Sequence, residues 1–200
     1  MMEKKILVAD IETTGFLWQE GSIVEIGIVE LNLNTGDCEI IFESLCKEEI
    51  LNSKHRKSPL GWIFDNSTLT VEDVRKAPRF EDIKESVQDI ISGCKLGCTA
   101  FNRSFDIDFL KSRDIKFHLL QPCPMQLCIN ILKLDPTEKM KKWKMNIKYK
   151  TPNAEEAYNF FFPGENYVEM HRAPDDAWHE AKVVYELYKK GVFKLFSINK

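Results

Sequence analysis

The sequence predicts an α/β domain built on a mixed sheet. Three observations carry that expectation. Three strand-like runs follow one another near the N-terminus, and helical apolar stripes then alternate with further short strands. The first run, 6–11, is apolar on both faces, as a central strand covered on both sides must be.

Taken in order, that run passes through Thr13, Thr14 and Gly15 into a short loop and then a second strand over 22–31. Asn34-Thr35-Gly36-Asp37 is a turn signal, and 38–45 reads as the third strand. Residues 46–69 show no clear period and mix charges with Pro59, Gly61, Trp62 and Phe64, so they read as a long loop with a helical turn. Loops of this length are often functional covers, and a mobile insertion is the other reading. From Thr70 the pattern turns helical, with Ile83, Val87, Ile90 and Ile91 on one stripe and Gly93 as the stop. Residues 95–101 read as a fourth strand, after which Asn102-Arg103-Ser104 is expected to cap a helix carrying Phe105, Asp106, Asp108, Phe109 and Leu110. A short fifth strand is expected over 117–120, stopped by Gln121-Pro122, and a helix over 125–134. Asn153-Ala154-Glu155-Glu156 resembles a capping box that opens a helix to about Phe161. The last helix opens around Pro174, buries Ala177, Ala181, Val184, Tyr185 and Tyr188, and closes at Gly191.

A hydrophobic content of 44% over 200 residues suits one domain with a sizeable core. Lys plus Arg number 28 against 31 for Asp plus Glu, a net charge of −3 too mild to suggest or exclude a nucleic-acid partner. No apolar run approaches the roughly 18 residues of a membrane span, and Met-Met-Glu-Lys-Lys leads straight into a strand, so a soluble, cytoplasmic chain is expected. Cys38, Cys46, Cys94, Cys98, Cys123 and Cys128 form no C-x-x-C pair and fit no common zinc spacing, which points to reduced thiols. Lys139, Lys141, Lys142, Lys144, Lys148 and Lys150 are interleaved with Trp143 and Tyr149. That pattern suits a phosphate backbone with stacked bases, and equally a solvated loop.

Strand alternation puts Asp10 and Glu12 on the side of Ile6 and Val8. Two carboxylates on one face at the end of a buried strand raise each other's pKa unless a cation or solvent relieves them. Two further segments set acids beside a buried element: 99–106, a strand leading to Asp106 in the first turn of a helix, and 171–177, with His171 five residues before Asp176. Asp106 and Asp108 lie about 200° apart around a helix, so only one can face a site. Asp106 shares its face with Leu110 and is the better candidate, whereas helical spacing leaves Asp175 and Asp176 undecided.

These three segments resemble the exonuclease motifs of the DEDD superfamily, histidine subgroup (DEDDh), the family of polymerase proofreading subunits, ribonuclease T and oligoribonuclease. Asp10, Glu12, Thr13, Thr14 and Gly15 match the first motif, Asn102 and Asp106 the second, and His171 and Asp176 with Ala177 the third. Leu69, Pro78 and Phe80 resemble the stretch before the second motif, and the similarity spans about residues 4–190. Phe101, where many relatives carry histidine, and Pro174, inside the third motif, depart from the pattern without removing a catalytic-type side chain.

The resemblance implies a ribonuclease H-like fold, a mixed sheet of about five strands with the first three antiparallel, and one exonuclease domain over 1–200. It implies a two-ion site for Mg²⁺ or Mn²⁺, with Asp10 bridging, Glu12 and Asp176 completing one position, and Asp106 holding the other partly through water. His171 would be the general base. Thr13 and Thr14 would contact the terminal nucleotide, with Asn102 a further candidate. The reaction implied is hydrolysis from the 3′ end of single-stranded DNA or RNA, releasing nucleoside 5′-monophosphates. The partners implied are a nucleic acid with a free 3′ end and, in the proofreading branch, a DNA polymerase. A non-hydrolytic binding or polymerase-associated module on the same fold is the alternative.

Overall fold

A computed structural model describes residues 4–49, 53–56, 60–143 and 147–197. Strand β1 (Lys5–Thr13) is flanked on both sides in the sheet, whose order is β3-β2-β1-β4. Its two-sided apolar pattern is satisfied because both faces are covered. Ile6 and Val8 pack with Val29, Leu31, Ala181 and Val184 on one side, and Leu7, Ala9 and Ile11 with Val87, Ile91, Phe109 and Leu110 on the other. β2 (Ile23–Asn32) pairs antiparallel with β1, and β3 (Cys38–Leu45) antiparallel with β2, as expected for the first three strands. β4 (Cys98–Thr99) pairs parallel with β1 through Leu7 and Val8.

Among the described residues the sheet therefore has four strands, not five. The fourth shrinks to two residues because Gly97, at φ +78°, turns the chain into it and Phe101 leaves it, giving its N–H to the Glu180 carboxylate at 3.2 Å. The expected fifth strand is reduced to a single bridge between Leu120 and Cys98. Beyond that bridge the buried Gln121 takes over: its side-chain amide donates to the carbonyls of Leu96 and Phe196 and accepts from the Phe196 N–H.

Helices α1 (Trp62–Asn66), α2 (Val71–Lys76) and α3 (Phe80–Gly93) lie between β3 and β4, followed by α4 (Arg103–Ser112), α5 (Pro124–Leu132), α6 (Glu138–Lys142), α7 (Ala154–Phe161) and α8 (Ala173–Lys189). The 46–69 segment carries a 3₁₀ turn at Ser53–Arg56 and α1; 50–52 and 57–59 lie outside the described residues. α1 hangs from the end of the first strand, the Gly61 N–H donating to the Thr14 carbonyl at 2.6 Å. Asn153 and Glu156 form the expected capping box of α7. Asn102 stands at the N-cap position of α4 but makes no side-chain cap, because its amide faces the cavity described below and accepts from the Ser104 hydroxyl. The cysteines are all free thiols, and no helix among the described residues is long and apolar enough to cross a membrane.

What places α8 is a glycine. Gly27 pairs with Asp10 across β1 and β2, and a Cβ there would lie 2.4 Å from the backbone of Ala173 and Pro174. The first turn of α8 thus rests directly on the sheet. Two strand positions away, the buried Glu25 carboxylate accepts from Arg172 Nη2 at 2.7 Å and from the Ala173 N–H at 2.9 Å. A buried carboxylate is costly unless paired and hydrogen-bonded, and here both conditions hold. Gly27→Ala is expected to destabilise the fold by about 1–3 kcal/mol, because the obstructing atoms are backbone and cannot swing aside. Denaturant unfolding of the two proteins measures this, and equal midpoints would refute it.

Candidate active site

Where β4 stops pairing, β1 runs on with β2 as its one sheet neighbour, and the crevice beyond the carboxyl ends of β1 and β4 opens into a cavity of about 390 Å³. Parallel strands that diverge in this way commonly create binding crevices at that end. Asp10, Glu12, Asn102, Asp106, Glu169, His171 and Glu180 line it, together with Phe101, Met125 and the stretch Thr151, Pro152, Asn153 and Ala154. No lysine or arginine is among the lining residues.

The acids come from several elements. Asp10 and Glu12 project from the part of β1 that extends past β4 and is paired with β2 only. Asp106, in the first turn of α4, is buried and accepts from the Ile11 N–H at 3.3 Å, which ties that helix to the strand. Asp108 is exposed, as its helical face required. Asp176 is 1% exposed, so the choice between the neighbouring aspartates falls on it, while Asp175 points outward beside His179. Asp176 accepts from the Tyr167 hydroxyl at 2.5 Å and from the Arg172 N–H at 2.9 Å. Tyr167 is in turn stacked on His179, with ring centroids 3.9 Å apart.

His171 adopts a left-handed backbone, φ +52°, that few residues other than glycine adopt. That conformation turns its ring toward the acids. A ring nitrogen of His171 and one oxygen each of Glu12 and Asp176 lie within 4.8 Å of one another. Two neighbours hold the ring. Glu169 Oε1 lies 4.0 Å from Nδ1, and the indole of Trp62 meets the imidazole edge to face at 4.8 Å.

Thr13 and Thr14 separate. Thr13 lines a second, mostly apolar cavity of about 350 Å³ that shares Glu12 with the first and is walled by Phe16, Trp62 and Phe105. Thr14 is fully buried, its hydroxyl accepting from the Ser22 N–H at 2.9 Å, so the expected nucleotide contact is corrected to a structural one.

Sequence reasoning missed Glu180, Glu169 and Trp62. Glu180 was within reach: it stands four residues after Asp176 on α8, hence on the same face. Glu169 lies in an irregular segment, and Trp62 opens the short helix α1 inside a stretch whose sequence has no period to read.

A family model, RNase_T, described as exonuclease, matches residues 7–184. The chain belongs to this exonuclease family. Solved structures similar to the exonuclease include a 3′-exonuclease described in 3′-end-specific recognition of a histone mRNA stem-loop, at 14% identity and TM-score 0.62, covering 100% of this chain and 92% of that one. The nuclease domain of 3′hExo, a DEDDh family member bound to rAMP, matches at 19% identity and TM-score 0.61, covering 99% and 98%. Cell-death related nuclease 4 (CRN-4) matches at 14% and 0.62, covering 94% of this chain and 64% of that one. These likenesses establish the ribonuclease H-like fold. No curated protein matches the sequence.

Crowding carboxylates into this crevice has an electrostatic consequence. Burial, followed by the charges of Glu180 and Asp106, pushes Asp10 well above the usual carboxylate range. Burial does the same to Glu12 and, with Asp106 and Asp176, to Glu180. Burial raises Asp106 to about 7, partly offset by the Ile11 N–H, and raises Glu169 to about 7. An unfolded carboxylate titrates near 4. Between about pH 4 and 7 the folded exonuclease therefore binds more protons than the unfolded chain, and its stability falls as pH rises. In EDTA, Tm is expected to drop as pH goes from about 5 to about 7.5; a flat or rising Tm over that window would contradict it. Glu180→Gln keeps an acceptor for the Phe101 N–H and removes one charge. At about pH 8 in EDTA it should raise Tm, by about 2–4 °C for each ~1 kcal/mol of repulsion relieved.

Proposed function

We propose that this exonuclease is a divalent-metal-dependent enzyme that hydrolyses single-stranded nucleic acid from its 3′ end and releases nucleoside 5′-monophosphates. One observation carries the reading: Asp10, Glu12, Asp106 and Asp176, drawn from β1, α4 and α8, converge with His171 on one crevice that has no cation among its lining side chains. An oxygen-rich donor set with imidazole alongside fits hard cations such as Mg²⁺ or Mn²⁺. Asp10, Glu12, Asp106 and Asp176 would hold them. When bound, such ions would activate the attacking water and stabilise the leaving 3′ oxygen.

The chain's own residues would do the rest. His171, its ring backed by Trp62 and flanked by Glu169, would take the proton of the attacking water on a ring nitrogen. The apolar slot between Phe16, Trp62 and Phe105 adjoins Glu12 and has the walls to receive the terminal base by stacking, with Thr13 at its edge. Asn102, on the acidic side, would meet the sugar-phosphate. Support for a 3′ end comes from the similar structures, one a nuclease domain bound to rAMP and one a 3′-exonuclease described in 3′-end recognition of RNA.

With 5′-labelled single strands of DNA and of RNA and either metal, the protein is expected to produce a ladder of progressively shortened products. Asp10→Ala should abolish it; a surviving ladder in that variant, or none from the native protein with either ion, rejects the proposal. His171→Ala should lower kcat by about 10²–10⁴ while keeping the metal-induced rise in Tm. Loss of that rise together with activity would make His171 a metal ligand instead.

A further inference from the structure

The acidic crevice poses a problem for a polyanionic substrate. Its walls present Asp10, Glu12, Asp106, Glu169 and Glu180 with no lysine or arginine between them, and the whole chain is net negative. Any attraction for a phosphate backbone beyond that of the bound ions has to come from beside the cavity. The described residues supply it in the excursion between Leu134 and Lys150, of which 144–146, with Lys144, lie outside the described residues.

The excursion is clamped at its base by the Lys150 N–H, which donates to the Leu134 carbonyl at 3.0 Å. The next residues, Thr151, Pro152, Asn153 and Ala154, form part of the cavity wall, so the excursion is rooted on the rim of the crevice. Between the clamp residues, α6 exposes Lys139, Lys141 and Lys142, and Lys148 is exposed further on. Trp143, 66% exposed, has Lys139 Nζ 4.8 Å above its ring, and Lys148 lies 5.1 Å over the Tyr149 ring. Lys141 pairs with Glu138 and Lys150 with Glu156, so the excursion is not uniformly free charge. An exposed indole presents apolar surface that a stacked base would cover, and lysines over the neighbouring ring faces put cations beside it for the flanking phosphates.

We propose that 135–143 and 147–150 form a strand-binding arm that takes the sugar-phosphate backbone of the nucleotides upstream of the 3′ end, with Trp143 stacking one of their bases. The inference rests on the single-strand exonuclease reading for the direction of the strand. The arm makes the enzyme selective for strands long enough to reach from the crevice to α6.

Its test is direct binding in EDTA, where nothing is cleaved. A fluorescently labelled strand about 20 nucleotides long is titrated with the native protein and with Lys139→Glu/Lys141→Glu/Lys142→Glu, across a series of salt concentrations. The variant is expected to bind at least about tenfold more weakly, and its slope of log Kd against log salt should be shallower by about 2. Trp143→Ala, which changes no charge, should weaken binding with the salt slope intact. A control triple carrying the same charge change on α2, α3 and the loop after α4, Lys76→Glu/Lys84→Glu/Lys116→Glu, should lose much less. Equal affinity and slope for the arm variant, or an equal loss in the control, overturns the arm. A parallel Mg²⁺ or Mn²⁺ assay without any ladder would overturn the exonuclease direction and leave the binding result standing on its own.

Discussion

The structure depends on one close approach, the seating of the first turn of α8 on Gly27 of β2. Because β2 offers no side chain there, the backbone of Ala173 and Pro174 reaches the sheet directly opposite the strand that carries Asp10. The Glu25 carboxylate then fixes the approach, binding Arg172 and the Ala173 N–H. Asp176 and Glu180, one and two turns along α8, are brought to the crevice as a consequence. His171, just ahead, turns inward through its left-handed backbone. A contact between two backbones thus sets the position of side chains one and two helical turns away.

The arrangement sets electrostatics against folding. Each acid is buried enough to hold its proton more tightly than a free carboxylate, and no lysine or arginine lines the pocket to relieve them. Hydrogen bonds hold the members in place: Ile11 to Asp106, Phe101 to Glu180, Tyr167 and the Arg172 N–H to Asp176. This is the behaviour of a site whose geometry is kept at some cost in stability, as functional sites commonly are. The 46–69 segment contributes from outside the sheet. Hung by the Gly61 N–H on the carbonyl of Thr14, it carries Trp62 to the imidazole and to the apolar slot at once.

Much of this was legible in the sequence where a periodicity or a cost betrayed it. The two-sided apolar run of β1 announced a covered strand, and the helical angle between Asp106 and Asp108 chose the buried one. Spacing could not separate Asp175 from Asp176, since either fits a first helical turn; the resemblance to a known motif, and then burial, decided it. The fifth strand misled because 117–120 has strand composition, yet its neighbour β4 is only two residues long and offers it a single bridge, Leu120 to Cys98. Thr14 misled in the opposite sense. A hydroxyl next to the acids looks like a ligand contact, but tertiary packing turned it inward to satisfy Ser22. Trp62 was beyond reach because only the three-dimensional course of an aperiodic segment brings it to His171.

The dispersal of the site along the chain has a bearing on how the protein is made. Asp10 belongs to the first strand and Asp176 to the last helix, and they meet only when that helix packs across β1 and β2. A ribosome releases these residues in order, so a nascent chain carries the β1 and α4 acids long before it carries their counterparts. Until α8 emerges there is no crevice. The candidate site is therefore assembled only when nearly the whole fold is complete.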